Sequence, residues 1–365
     1  MSVARPAWAE LDLAALRHNV EAVRRLAGPK TRILAVMKGD AYGFGIEKMA
    51  PTLERFVDGF AVGDVEEARL LRPFAGTRPI LLYGSLMPSD LAVLDEGIIA
   101  TVHSWPCLEA LAGTGRARQV MVKVDCGFGR LGFPETEMPA VLDRIAGMPA
   151  DVRLWGAYTH LGAVDDAATV ALQVQRFESV RAAARQRGMA DLVMMVASSR
   201  VLVDNPALAL DAINPGRILF GAMEEPWASR AAIRPVLRKV AARLIAIKDL
   251  PADRRLGYGS IAPGRGTIRV GIAPIGFAAG LPRNLDGAPL LLRGRRTQVL
   301  GLASMEHLLV DLEPAGGEVG DEVVLVGSQD SETLTIEDMA RHTGLTALEL
   351  SVRLARGVPS IPVDG

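Results

Sequence analysis

Cysteine is nearly missing from this chain: 365 residues carry only Cys107 and Cys126. Two thiols this far apart build neither a disulfide framework nor a metal-spaced cluster. No metal is expected, and a reduced, cytoplasmic setting is the simplest expectation. An excess of one charge is also lacking. Lys and Arg number 41 against 42 Asp and Glu, leaving a formal net charge of −1, with both signs interspersed. Nucleic acid is therefore not expected as the main partner, because phosphate binding wants a basic stripe. No apolar run reaches the roughly eighteen residues of a membrane span. The opening segment, MSVARPAWAELDLAALRHNV, scatters charge where a signal peptide would keep an unbroken apolar core. Internal repeats and low-complexity tracts are absent.

What is present is ordinary globular composition, 49% apolar and 23% charged, in a chain long enough for two domains. From residue 11 to about 222, short β-rich runs alternate with helical patterns. The strand expectations are Ile33 to Met37, Gly59 to Val62, Pro79 to Tyr83, Ile98 to Val102, Val120 to Val124, Leu154 to Tyr158, Leu192 to Val196 and Ile213 to Phe220. Segments such as LDLAALRHNVEAVRRLAG, VEEARLLRPFAG and VQRFESVRAAARQRG read as the helices between them. Eight βα units close naturally into a (β/α)8, TIM-like barrel, with an open doubly wound sheet as the competitor. After Pro235 the texture changes to strand-like runs broken by Gly, Pro and Asp, with helices only in TIEDMARHTG and TALELSVRLARG. The expected architecture is α/β plus β: a barrel over residues 11–235 and a mostly antiparallel β-domain over 236–365, joined by residues 1–10.

Within this frame, ILAVMKGDAYGFG sets Lys38 directly after a buried-strand pattern and before a glycine-broken loop. That is the C-terminal end of the first barrel strand, on the face where barrel active sites form. A lysine over an apolar core loses solvation, which lowers its pKa and favours the nucleophilic amine. The bland alternative is a strand-end lysine that snorkels to water. The stretch from Gly127 to Gly132 also satisfies G-x-G-x-x-G after a strand, a nicotinamide-binding pattern. Pro134 interrupts the helix that pattern needs, and the strand is the fifth of its series rather than the first.

AVMKGDAYGFG closely resembles the cofactor-lysine motif of the alanine racemase family. The resemblance runs on through RPAWAELDLAALRHNV, KVDCGFGRLG, GAYTHLGAVDD, LGYGSIAPGR with IAPIGFAAGLPR, VLGLASMEHLLVDL, GDEVVLVG and LELSVRLARGVPSI, in order and spacing. It implies a barrel bearing pyridoxal 5′-phosphate (PLP), a β-domain and a head-to-tail homodimer with shared active sites. By resemblance Lys38 holds PLP as a Schiff base and serves one face of the substrate. Tyr258, from the partner subunit's β-domain, serves the other. Two-base racemisation needs such a pair, because a proton leaves one face and returns to the opposite one. Tyr42 and Ser199 would hold the cofactor phosphate, with Gly216 in the cradle after strand eight. His160 would pack near the ring. Arg130 would lie by the phenolic oxygen and the substrate carboxylate, where a guanidinium fits bidentately. Lys123 matches a position that the family often carbamylates to position that arginine, and Met305 one whose backbone contacts the carboxylate across the dimer.

Three positions depart from the family pattern. Asn214-Pro215-Gly216-Arg217 stands where the family reads Arg-Pro-Gly-Ile. The family arginine faces the pyridine nitrogen and keeps it unprotonated, whereas Asn214 is neutral and can donate or accept. Leu348 stands where a phosphate-binding tyrosine is usual, and Arg217 in the phosphate loop would restore that contact with charge. Glu306 follows Met305 where aspartate is usual. The expected function is PLP-dependent racemisation of a small amino acid, alanine or serine. Asn214 leaves open another PLP reaction, as an aldolase, decarboxylase or broader-specificity racemase. A non-catalytic PLP carrier is the remaining alternative.

Overall fold

The computed structural model describes residues 6–84, 87, 89, 94, 97–111, 118–251, 255–258, 266–313 and 315–364. The first strand, β1 (Ala7–Asp12), ends on Asp12, whose carboxylate accepts the Ala15 N–H at 2.8 Å and so caps the helix Leu13–Ala27. That helix buries Leu16, Asn19, Val20 and Val23 along one face. Asn19 fixes it to the chain leaving the barrel, donating to the carbonyls of Leu219 and Arg234 and accepting from Arg234 N–H.

Eight parallel strands then follow: β2 (Arg32–Val36), β3 (Gly59–Val62), β4 (Ile80–Leu82), β5 (Ile98–Val102), β6 (Arg118–Asp125), β8 (Val152–Tyr158), β9 (Val193–Met195) and β10 (Ala212–Ile213). A two-residue strand, β7 (Phe133–Pro134), lies against the end of β6. Pairing of β5 with β6 and of β10 with β2 closes the sheet, which rules out the open doubly wound competitor. The near-continuous apolar runs of β2, β3 and β5 are explained by burial on both faces, against the helices outside and the packed interior within.

Several expected boundaries shift by one or two residues, and one changes character. The run Ile213 to Phe220 is not a strand: pairing stops at Ile213, and Asn214 to Phe220 form a turn. Pro215 has no N–H to give to a ladder, and the N–H groups of Gly216 and Ile218 turn inward to Ser199. The helix expected over 174–188 runs Ala167–Gln186, capped by Asp166.

The second sheet holds β1 with β11 (Leu237–Arg243), β12 (Ala246–Leu250), β13 (Ile268–Ala273), β14 (Pro289–Leu292), β15 (Arg295–Leu300), β16 (Leu308–Asp311), β17 (Glu322–Gln329), β18 (Glu332–Leu334) and β19 (Ser360–Val363). Every pairing in it is antiparallel except β1 with β19. Late helices lie at Ile336–Ala340 and Ala347–Gly357, each started by a threonine capping box. Among the described residues, no helix is long and apolar enough to cross a membrane.

Candidate active site

Strand alternation locates the site. Val36, Leu81, Ile99, Met121, Tyr158 and Ala212 belong to the cluster that fills the barrel. Two residues further along each chain, the next positions in that phase are Lys38, Tyr83, Thr101, Lys123, His160 and Asn214. These crown the apolar core at the C-terminal mouth of the barrel. No motif marks Tyr83 and Thr101 as part of the site, although the same period of two points to them.

Lys38 begins a backbone segment that L-residues rarely adopt. Gly39, Asp40, Ala41 and Tyr42 all take left-handed angles, with φ between 53° and 67°. For the three that are not glycine this costs roughly 1–2 kcal/mol each, so the surroundings must impose it. Glu67 does so from the neighbouring helix Val65–Ala75. Its two oxygens accept the N–H groups of Asp40 and Gly63, both at 2.8 Å. Asp40 in turn accepts Ile46 N–H at 2.8 Å, which starts the next helix. No sequence motif singled out Glu67.

The mouth is strongly cationic. Lys38 opens to water there, yet the protein around it lowers its amine pKa by desolvation, with Arg130 adding to the effect and Glu67 opposing it. Lys123 is buried 4.5 Å from the centre of the Tyr158 ring, and its Nζ has no hydrogen-bond partner among the described residues. Burial first, then Arg130, pulls its pKa down to about 7. His160 meets Phe128 edge-on at 5.1 Å, and burial together with Lys123, Arg130 and Lys38 lowers its pKa to about 4. It is therefore a neutral imidazole near pH 7. Gln173 brackets the loop beyond it, accepting from and donating to the backbone of Gly162.

Arg130 lies over Phe128, 4.5 Å from the ring centre, in the loop that follows β6. The G-x-G-x-x-G stretch that carries it starts no helix. The Asp125 carboxylate accepts the N–H groups of Gly127, Phe128 and Gly129, so those donors are already used within a turn. Gly132 closes the loop where a Cβ would come within 2.9 Å of the Lys123 carbonyl oxygen. The nicotinamide-binding alternative loses its phosphate site on these grounds.

Between the ends of β9 and β10 the loop is drawn in onto Ser199. Ser199 Oγ accepts N–H from Gly216 at 3.0 Å and from Ile218 at 3.3 Å. A Cβ on Gly216 would stand 2.2 Å from Tyr42 Oη, so only glycine lets the tyrosine hydroxyl sit on this loop. Burial raises the Tyr42 pKa to about 12, with Arg217 working weakly the other way. Arg217 pairs with Glu224 through its Nη2, while its Nε is buried and unpaired. Leu348 borders a small cavity of about 30 Å³ beside Gly221 and Glu224, adjoining the same loop.

Deeper in the mouth, Asn214 Nδ2 donates to Tyr83 Oη at 3.1 Å, and its Oδ1 is buried without a partner among the described residues. A primary amine of lowered pKa, the Tyr42 and Ser199 hydroxyls on one glycine loop, and an unpaired buried carbonyl are polar groups that fit a phosphorylated aromatic aldehyde.

Tyr258 and Met305 lie elsewhere. Both are in the β-domain and exposed, at 70% and 60%, with Arg283 over the Tyr258 ring at 5.2 Å. Glu306 is exposed beside Met305. Residues 259–265 of LGYGSIAPGR lie outside the described residues.

Two family models match the chain: "Alanine racemase, N-terminal domain" over residues 11–224 and "Alanine racemase, C-terminal domain" over 237–362. An alanine racemase of Sorangium cellulosum is 35% identical over 376 residues, covering 97% of this chain and 98% of its own. One from Paraburkholderia phytofirmans is 36% identical over 366 residues, with the same coverage of 97% and 98%. Among solved structures, the biosynthetic alanine racemase of Pseudomonas aeruginosa superposes with a TM-score of 0.83 at 30% identity, over 98% of this chain and 99% of that one. The alanine racemase of Clostridium difficile 630 gives 0.89 at 26%, over 100% and 97%.

Proposed function

The chain belongs to the alanine racemase family, and from that premise we propose that it interconverts L- and D-alanine using PLP. The observation that carries this reading is Lys38, an amine of lowered pKa before a left-handed turn at the mouth of a barrel, with the Tyr42 hydroxyl seated on the neighbouring Gly216 loop. When bound, PLP supplies the electron sink that makes the α-proton of an amino acid removable.

The chain's own residues would bind, orient and move protons. Tyr42, Ser199, Gly216 and Arg217 would hold the phosphate, and Lys38 Nζ the carbonyl carbon. Neutral His160 would pack against the ring without adding to the surrounding positive charge. Arg130 would orient the substrate carboxylate, and Lys123, carbamylated, would fix the arginine. Because burial and then Arg130 pull its pKa down to about 7, roughly half of Lys123 near pH 7 is the neutral amine that captures carbon dioxide. Lys38 Nζ would move the proton on one face and Tyr258 Oη on the other.

Solvent-exposed Tyr258 and Met305 support a head-to-tail homodimer in which each β-domain completes the partner's mouth. The division of labour follows: a PLP-binding barrel over 11–235, and a β-domain over 236–365 with 1–10. A cytoplasmic location fits two buried, unpaired cysteines. Aldolase, decarboxylase and carrier alternatives are not favoured, since relatives matching nearly the full length are alanine racemases and the β-domain carries a tyrosine a carrier would not need.

The deciding experiment incubates the PLP-loaded enzyme with a panel of L- and D-amino acids and follows them by chiral chromatography. L-alanine should become a racemic mixture. Release of an aldehyde or amine with no change of configuration would count against racemisation.

A further inference from the structure

At the barrel mouth, Asn214 Oδ1 is buried with no hydrogen-bond partner among the described residues, as is Lys123 Nζ. Asn214 is 8% exposed. Its N–H is tied to the Ala197 carbonyl at 3.2 Å, and its Nδ2 donates to Tyr83 Oη at 3.1 Å. Tyr83 is held in turn. Its ring lies 5.9 Å from that of Tyr158, whose hydroxyl is bonded to Thr101 at 3.0 Å. Tyr83 thus occupies the donor end of the amide, leaving the acceptor end buried and without a partner among the described residues.

A carbonyl oxygen can only accept, and so can a pyridine nitrogen that carries no proton. Two acceptors facing each other in a buried site leave both desolvated and unpaired, which is unfavourable. A pyridine nitrogen that carries its proton is a donor and removes the mismatch. The charge it brings is tolerated more readily opposite a neutral amide than opposite a guanidinium, which is always cationic.

We propose that Asn214, oriented by Tyr83, presents its carbonyl oxygen to the ring nitrogen of the cofactor and so holds that nitrogen in its protonated form. This rests on the reading that the mouth binds PLP through Lys38, with Asn214 opposite the ring nitrogen. Tyr83 is a positioning residue: it touches the amide and selects which end points outward. A protonated ring withdraws electrons more strongly than a neutral one, so this chain works with a more powerful sink than an arginine at position 214 would permit.

The test is solid-state 15N NMR of the holoenzyme reconstituted with PLP labelled at the ring nitrogen. Borohydride-reduced samples, read by mass spectrometry, show whether Lys38 carries the cofactor. The native protein should give a signal in the shielded pyridinium range, and Asn214→Arg one in the deshielded pyridine range. Tyr83→Phe keeps the ring packing but frees the amide, so its signal should move toward the pyridine range. A native signal in the pyridine range, with the Lys38 adduct present, overturns this inference and leaves the racemase reading standing. An unchanged signal in Tyr83→Phe overturns the part assigned to the tyrosine. Absence of any adduct on Lys38 overturns both readings.

Discussion

Glu67 holds the backbone of Asp40: one carboxylate oxygen accepts the Asp40 N–H at 2.8 Å while the other accepts Gly63 N–H at the same distance. The left-handed turn that follows Lys38 is therefore gripped from the side, by a helix that takes no other part in the site. Glu67 also acts on the amine by charge, opposing the effects of burial and Arg130. Glu67→Gln removes that charge and turns one acceptor into a donor. The amine should fall further below the ordinary lysine range, so the pH at which PLP can be trapped on Lys38 by borohydride should shift downward. One N–H loses its partner, with an expected stability loss of about 1–3 kcal/mol in urea unfolding. An unaltered trapping profile together with unaltered stability would show that the grip is incidental.

Lys123 gives a pH dependence whose sign can be worked out. Burial pulls its amine from the ordinary lysine value of 10.5 down to about 7 in the fold. Between those values the unfolded chain binds a proton that the native amine does not, so this group makes the fold more stable as pH rises across that window. The contribution is flat below about pH 7, and its slope at most about 1.4 kcal/mol per pH unit. Lys123→Met should remove the slope and raise stability at neutral pH. Urea melts of the cofactor-free protein in carbon-dioxide-free buffer, across that window, provide the comparison. With 13C-bicarbonate added, a carbamate carbon signal should appear in the native protein and be missing in Lys123→Met.

Subunit mixing tests whether the two bases come from different chains. Lys38→Ala and Tyr258→Phe should each be inactive as racemases. A mixed dimer of a shared-site enzyme has one doubly altered site and one intact site, so random exchange should restore roughly a quarter of native activity. Restoration would not occur if both residues served the same chain's site. Tyr258→Phe alone should still exchange the α-proton of one enantiomer with deuterated water; equal loss from both would contradict its role as the second base.

The phosphate loop offers two contrasting substitutions. Gly216→Ala forces a methyl group against Tyr42 Oη, so the tyrosine must leave the loop. Arg217→Ala removes the guanidinium that replaces the family's usual tyrosine contact. Both should weaken PLP retention on dilution, measured by the loss of cofactor absorbance. Unchanged affinity in Arg217→Ala would mean that its pairing with Glu224 is the guanidinium's whole role.

Much of this was legible in the residues because barrel strands repeat with a period of two. Lys38, Lys123, His160 and Asn214 each sit one period beyond an inward apolar residue, and motif resemblance drew the eye to them. Tyr83 obeys the same period but falls in no motif, so it passed unnoticed. Glu67 could not be found by periodicity at all. Its function depends on two backbone N–H groups brought together by a turn that the sequence does not announce. The run Ile213 to Phe220 misled for the opposite reason. Its composition is that of a strand, but Pro215 and the pull of Ser199 on two amides convert most of it into the loop that would seat the phosphate.

The pairing of β1 with both β11 and β19 has a consequence for the order in which the molecule is made. Every barrel strand has been synthesised before residue 236, so the barrel can begin to close before the second sheet is made. The sheet cannot, because β1 waits for β11, and its outer neighbour β19 is the last strand synthesised. The β-domain that bears Tyr258 is thus completed only once residues 360–363 have been made. A nascent chain can close its barrel well before the sheet that carries Tyr258 is whole.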